Sequence, residues 1–151
     1  MRHHARKSHE LGTAKTFLAI GDLVAGGSNP TTVRGYYSLS PASLGYARIP
    51  EIVRRGLARQ DVPGFRLARL AVDRRMQGQG LGGQLLLAAG RRCLLASSEV
   101  GGVALVIDAR NERGAQWYAG CGALPLADAP LSLMLPLKTI AAALSIPGKH
   151  T

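Results

Sequence analysis

The chain has 151 residues, of which 46% are apolar and 19% charged, and it carries a formal net charge of +10. One domain fits that length, with enough core to fold without a metal or disulfide, and the composition excludes an intrinsically disordered chain. No run reaches the roughly 18 uncharged apolar residues of a membrane helix, and the basic start, MRHHARKSHE, lacks the apolar stretch of a secretory signal. An excess of 19 Lys and Arg over 9 Asp and Glu implies an acidic partner: nucleic acid, a phosphorylated cofactor or an anionic surface.

Residues 2–11 are polar and helix-compatible. The β-branched and aromatic stretch Thr13–Ile20 predicts a strand, and Gly26, Gly27, Ser28, Asn29 and Pro30 predict a turn. Val33–Leu39 is the expected partner strand of a hairpin. Pro41, Pro50 and Pro63 make Ser40–Pro63 irregular or partly helical, and the alternation in Phe65–Val72 predicts a strand. Gly82, Leu85, Leu86, Ala89, Cys93 and Ala96 recur at helical spacing and predict a helix over Leu81–Ser98. Val103–Ala109 has the nearly continuous apolar pattern of a strand covered on both faces. Asn111 can cap a helix through Ala119. Leu131–Leu137 is the expected last strand, and a short apolar turn with a polar end follows Lys138. This order predicts a mixed α/β sheet in a single domain over residues 1–140, with a tail over 141–151.

The two cysteines, Cys93 and Cys121, are too few for a zinc site or disulfide framework, and His3, His4, His9 and His150 make no ligand spacing with them. Both thiols are expected free in the reducing cytoplasm, with Cys93 a packing residue of its helix, and no metal is expected.

The most informative stretch is Asp73-Arg74-Arg75-Met76-Gln77-Gly78-Gln79-Gly80-Leu81-Gly82-Gly83. It joins a strand to a helix. Four glycines in six positions let the backbone turn tightly and gather N–H groups at one point. The following helix adds unpaired N–H groups and the positive end of its dipole, which together suit a pyrophosphate. A Walker loop would end in Gly-Lys-Ser/Thr, where this chain has Gly82-Gly83-Gln84. A dinucleotide fold would place its glycines after the first strand.

Gln77-Gly78-Gln79-Gly80-Leu81-Gly82 resembles the Gln/Arg-x-x-Gly-x-Gly/Ala acetyl-CoA loop of the GNAT N-acetyltransferases. Asn111 through Ala123, with Ala115 and the Trp117-Tyr118 pair, resembles the second GNAT signature, with Ala123 in place of its usual Phe. Gly35-Tyr36-Tyr37-Ser38-Leu39, Arg69-Leu70-Ala71-Val72-Asp73 and Leu133-Met134-Leu135-Pro136-Leu137 are similar to a narrower group, the TacT/AtaT-like toxins of type II toxin–antitoxin systems. The lead-in, Ala5 to Glu10 with Ala14 to Phe17, fits that group, so the likeness runs from about residue 5 to residue 140. It implies a GNAT fold with a mixed, mostly antiparallel sheet flanked by helices. The chain begins inside what matches the family's second helix, so the family's first strand and helix are expected to be missing. The resemblance also implies acetyl-CoA as donor, the α-amino group of aminoacyl-tRNA as acceptor, a block of translation, a ribbon-helix-helix antitoxin and a homodimer.

In residue terms, the resemblance assigns the pyrophosphate to Gln77 and the N–H groups of Gly78, Gln79, Gly80, Gly82 and Gly83. Leu70 and Val72 would offer backbone groups to the pantetheine arm and thioester, at a point where the family's sheet splays. Asn111 would reach the pantetheine, and Arg74 and Arg75 the ribose phosphate. Tyr118 is the expected general acid, since a phenol is protonated at pH 7 and can give a proton to a leaving thiolate. Trp117 is expected in the core. No base stands out, and an esterified α-amine, less basic than lysine, can act without one. Arg48 through Arg75 form a dense basic band opposed by Glu51, Asp61 and Asp73. Arg54, Arg55, Arg59, Arg66 and Arg69, with Arg91 and Arg92, are expected to track a tRNA backbone. The competing readings are a GNAT enzyme for a small-molecule or protein amine, and a weakened GNAT fold that binds an antitoxin and DNA.

Overall fold

The computed structural model describes residues 14–20, 33–57, 59–78 and 80–145. Within them six strands form one sheet: β1 (Lys15–Ile20), β2 (Val33–Leu44), β3 (Val62–Val72), β4 (Ala104–Asp108), β5 (Leu124–Leu126) and β6 (Ala129–Pro136). Their spatial order is β1-β2-β3-β4-β6-β5. Only β3 and β4 run parallel, and the other four pairings are antiparallel. The helices are α1 (Glu51–Arg54), α2 (Leu81–Val100), α3 (Glu112–Gly120) and α4 (Leu137–Ser145), with 3-10 turns at Tyr46–Arg48 and Arg74–Met76. This is the mixed, mostly antiparallel sheet that the resemblance implies. The expected helix over residues 2–11 and the turn at 26–30 lie outside the described residues. Among those residues, no helix is long and apolar enough to cross a membrane.

Two apolar layers sandwich the sheet. On one face, Leu85, Leu86 and Ala89 of α2 and Ile140 of α4 bury Tyr37, Leu67, Leu105, Ile107, Leu133 and Leu135. On the other, Ile49 and the segment through α1 cover Leu44, Val62, Val106 and Met134. The alternation of β4 between the two clusters explains its continuous apolar run: each face needs its own apolar set.

Four elements depart from the expected pattern. β2 runs on through Pro41 to Leu44, and β3 begins at Val62, where the prolines predicted irregular chain. β1 pairs with β2 only as far as Leu39, so Pro41 sits where its missing N–H breaks no bond to β1. The short β5 is additional. The apolar segment after Lys138, expected as a turn, is the helix α4, with Leu137 and Ile140 buried on α2.

The parallel pairing that organises the site depends on one glycine. A Cβ on Gly64 would stand 2.5 Å from the carbonyl oxygen of Ala104, directly before the paired residues Phe65 and Leu105. Backbone on both sides cannot yield as a flexible side chain can. Gly64→Ala is therefore expected to cost about 2 kcal/mol, or roughly 4–8 °C of melting temperature by circular dichroism for a domain of this size. An unchanged melting temperature would show that the two strands part there without cost.

Candidate active site

The glycine-rich turn begins at Asp73, which directly follows β3. Its N–H donates to the Arg34 carbonyl oxygen at 2.7 Å, and its Oδ1 accepts from the Arg75 N–H at 2.9 Å. That backbone bond, helped by the Arg75 charge, holds the Asp73 carboxyl below its ordinary pKa. Gln77 folds back so that its Nε2 donates to the Val72 carbonyl oxygen at 3.2 Å. Gly78 and Gly80 have φ values of +83° and +82°, a region closed to most side chains, which is why the turn needs glycine there. Gly80 caps α2 with no side-chain hydrogen bond, and the first turn holds no acidic residue. The first N–H bonded back to the Gly80 carbonyl is that of Gln84, at 3.1 Å. The N–H groups of Leu81, Gly82 and Gly83 therefore precede the helical ladder. Nothing lies within 4 Å of a Cβ built on Gly83. An uncapped helix start beside open space fits a phosphate group. Gln79 lies outside the described residues. Arg74 and Arg75 are exposed beside the turn, with Arg75 Nε 3.6 Å from Asp73 Oδ1.

The sheet opens next to that turn. β3 and β4 pair only at Phe65–Leu105, Arg66–Val106 and Leu67–Ile107. β4 then continues with β6 to Asp108, while β3 continues with β2 to Val72. The ion pair of Arg66 with Asp108, whose other oxygen accepts from Ser132 Oγ at 2.9 Å, sits at the fork. Because the Asp73 N–H points to β2, strand alternation turns the backbone groups of Val72 and Leu70 the other way, towards the opening, where the Val72 carbonyl oxygen is taken by Gln77. The expected splay is present, and the two named residues face it.

α3 closes the far side. Asn111 accepts the Gly114 N–H on Oδ1 at 2.8 Å, so its oxygen is the helix N-cap and its amide nitrogen is the end left for a ligand. Tyr118 is half-buried, and burial, then the Cys121 thiol, push its pKa above the ordinary phenol value. The ring of Trp117 meets that of Tyr118 edge-on, with centroids 5.0 Å apart. Trp117 is not in the core as expected: it is 41% exposed. Its place on the stripe of Arg113, Gly114 and Cys121, instead of the Ala115 and Tyr118 stripe, was the available signal. Ala123, in place of a Phe, is buried under α3. A groove of about 390 Å³ continues from the glycine turn, bounded by Gly83, Gln84, Cys121 and Thr139.

The arginines divide into different environments. Arg92 is held against β1 and β2, its Nε donating to the Tyr37 hydroxyl at 2.8 Å and its guanidinium 3.7 Å from the Phe17 ring centroid. Arg54 lies over the Tyr46 ring, and Arg48 pairs with Asp128 at 3.0 Å. Arg55, Arg59 and Arg91 are exposed. Arg54, Arg55 and Arg59 precede β3, whose 11 residues separate them from the glycine turn by roughly 35 Å. Arg66 and Arg69 lie between. The register skips Ala68, pairing Ser38 with Arg69 and Leu39 with Leu67, so a bulge brings Arg66 and Arg69 onto one face. Strict alternation would have set them on opposite faces. Cys93 is buried, and burial pushes its thiol up to about 12, leaving it a protonated packing group.

No protein-family model matches the chain. The tRNA-acetylating toxin of Mycobacterium tuberculosis is 33% identical over 138 residues, covering 91% of this chain and 78% of that protein. The solved structure of AtaT complexed with acetyl-methionyl-tRNAfMet superposes with a TM-score of 0.82 at 26% identity, over 94% of this chain and 82% of that one. A tyrosine-to-phenylalanine mutant of AtaT, bound to the C-terminus of the antitoxin AtaR and acetyl-CoA, gives a TM-score of 0.75 at 26% identity, over 95% and 80%. With the glycine turn, the splayed strands and the Trp117-Tyr118 helix assembled as described, the chain belongs to the TacT/AtaT-like tRNA-acetylating toxins of the GNAT fold.

Proposed function

We propose that this protein transfers the acetyl group of acetyl-CoA to the α-amino group of an aminoacyl-tRNA and so blocks translation. The observation that carries the reading is the convergence of three parts at one end of β3: an uncapped helix start, backbone groups facing a gap in the sheet, and Tyr118. The 33% identity to a tRNA-acetylating toxin supplies the acceptor class. We assign the cytoplasm as the place of action, with an antitoxin as the restraining partner, in line with AtaT bound to AtaR.

Acetyl-CoA, when bound, supplies an activated thioester. The N–H groups at Gly78, Gly80, Gly82 and Gly83, with Gln77, would hold its pyrophosphate, and Arg74 and Arg75 its ribose phosphate. Leu70, Val72 and Asn111 would fix the pantetheine arm, so that the acyl carbon meets the amine in one orientation. The Leu70 or Val72 N–H would be the donor available to the thioester carbonyl oxygen. Tyr118, kept protonated as burial raises its pKa, would give that proton to the departing sulfur and regain one as the acetylated nitrogen releases its own to solvent.

The direct test is purified protein with acetyl-CoA and charged tRNA, read as N-acetyl-aminoacyl-tRNA. Absence of that product with every charged tRNA would overturn the reading, and efficient acetylation of free amines or peptides instead would favour a small-molecule or protein acceptor. The exposed Arg55 and Arg59 provide a second test. Joint replacement of both by Glu is expected to raise KM for charged tRNA about ten-fold and to flatten its salt dependence, with KM for acetyl-CoA unchanged. An unchanged tRNA KM would remove that end of β3 from the tRNA path.

A further inference from the structure

Trp117 stands where the three parts of the site meet. A Cβ built on Gly82 would lie 3.5 and 3.6 Å from Cζ2 and Cη2 of the Trp117 ring, and 3.8 Å from Cγ2 of Val72. The start of α2, the end of β3 and the indole therefore share one point. The opposite neighbour of the ring is Tyr118, met edge-on at 73°. The indole thus lies against the helix turn whose N–H groups suit a phosphate and meets the phenol placed as acid, and the Val72 side chain at the strand end approaches the same Gly82. A tryptophan that only packs would be covered, yet 41% of this one is exposed. Large apolar surface left open beside an anion-binding helix start is what a ligand with a charged centre and an uncharged arm would cover.

We propose that Trp117 is a wall of the acetyl-CoA channel, laying its indole along the cofactor between the pyrophosphate at α2 and the thioester at Tyr118. The inference rests on the acetyltransferase reading above. A cofactor strung from the Gly82 N–H to the Tyr118 hydroxyl passes the ring, because the ring contacts both residues. The wall excludes water from the thioester, which strengthens the electrostatic contacts there and limits hydrolysis.

Trp117 is the chain's only tryptophan, so emission excited where tyrosine does not absorb reports on this ring alone. The wild-type protein is titrated with CoA and with acetyl-CoA, with calorimetry on the same sample. The expected result is a saturable change in emission whose midpoint equals the calorimetric Kd, with acrylamide quenching reduced about two-fold as the ring is covered. A measured heat of binding with emission and quenching unchanged overturns the proposal and leaves the acetyltransferase reading standing. No heat with either ligand overturns both. Trp117→Ala is then expected to raise KM for acetyl-CoA about ten-fold and Trp117→Phe less than about three-fold, with KM for charged tRNA unchanged in each. Equal losses for both substrates would make Trp117 a structural residue instead, and would also overturn the proposal. If Trp117→Ala does not fold, the wild-type titration decides.

Discussion

Tyr118→Phe is expected to lower kcat for acetyl transfer by about 100-fold or more, the usual contribution of a positioned general acid. Acetyl-CoA affinity and melting temperature should hardly move. The change removes one oxygen from a half-buried ring, and among the described residues no group is bonded to it. Calorimetry and circular dichroism on the same preparation separate loss of chemistry from loss of binding or fold. A variant that kept most of its kcat would remove Tyr118 from the mechanism. The same residue sets a pH dependence. The acid must be protonated, and burial, followed by the Cys121 thiol, raises its pKa. The alkaline fall in rate should therefore lie above the ordinary phenol value of about 10. Cys121→Ala removes the second cause and should shift that limb towards lower pH, as read from single-turnover rates across the range.

Gly83→Asp should act on binding instead. Space around Gly83 is open and its φ is not positive, so a carboxylate fits without disturbing α2. A negative charge in the first helical turn is favourable to the fold, by about 0.3–1 kcal/mol. That charge would occupy the same N–H groups and dipole end that a pyrophosphate needs, and would repel it. Affinity for acetyl-CoA is expected to fall about 100-fold, with a melting temperature equal to or above wild type. Unchanged affinity would mean that the anion site lies elsewhere. Neither variant is expected to disturb the fold, so each reads one limb of the same reaction: Gly83→Asp the capture of the donor, Tyr118→Phe its breakdown.

The local parts of this arrangement were legible in the amino-acid sequence. Gly78 and Gly80 announce a turn with positive φ, because few other residues adopt it, and Asn111 announces a helix start, because its side chain caps the third residue on. The helical spacing of Leu85, Leu86, Ala89 and Cys93 matches the buried face of α2. Each of these signals depends on residues within a turn or two of one another, and sequence carries such information directly.

What needed the tertiary structure depends on partners distant along the chain. The bulge at Ala68 arises from the pairing of β3 with β2, about 30 residues earlier, and it alone puts Arg66 and Arg69 on one face. The gap that turns Leu70 and Val72 outward exists because β4 leaves β3 after Ile107 to follow β6. Arg92, exposed like its neighbour Arg91, has its guanidinium engaged by Tyr37 and Phe17 on the neighbouring strands. Trp117, apolar and helical, belonged by type to the core, and only the meeting of α3 with the start of α2 and the end of β3 leaves it at the mouth of the site. The turn and the helix start were set by local conformational preference. Which of them face one another was decided by strand pairing and packing, where each residue's exposure depends on chain folded against it from elsewhere.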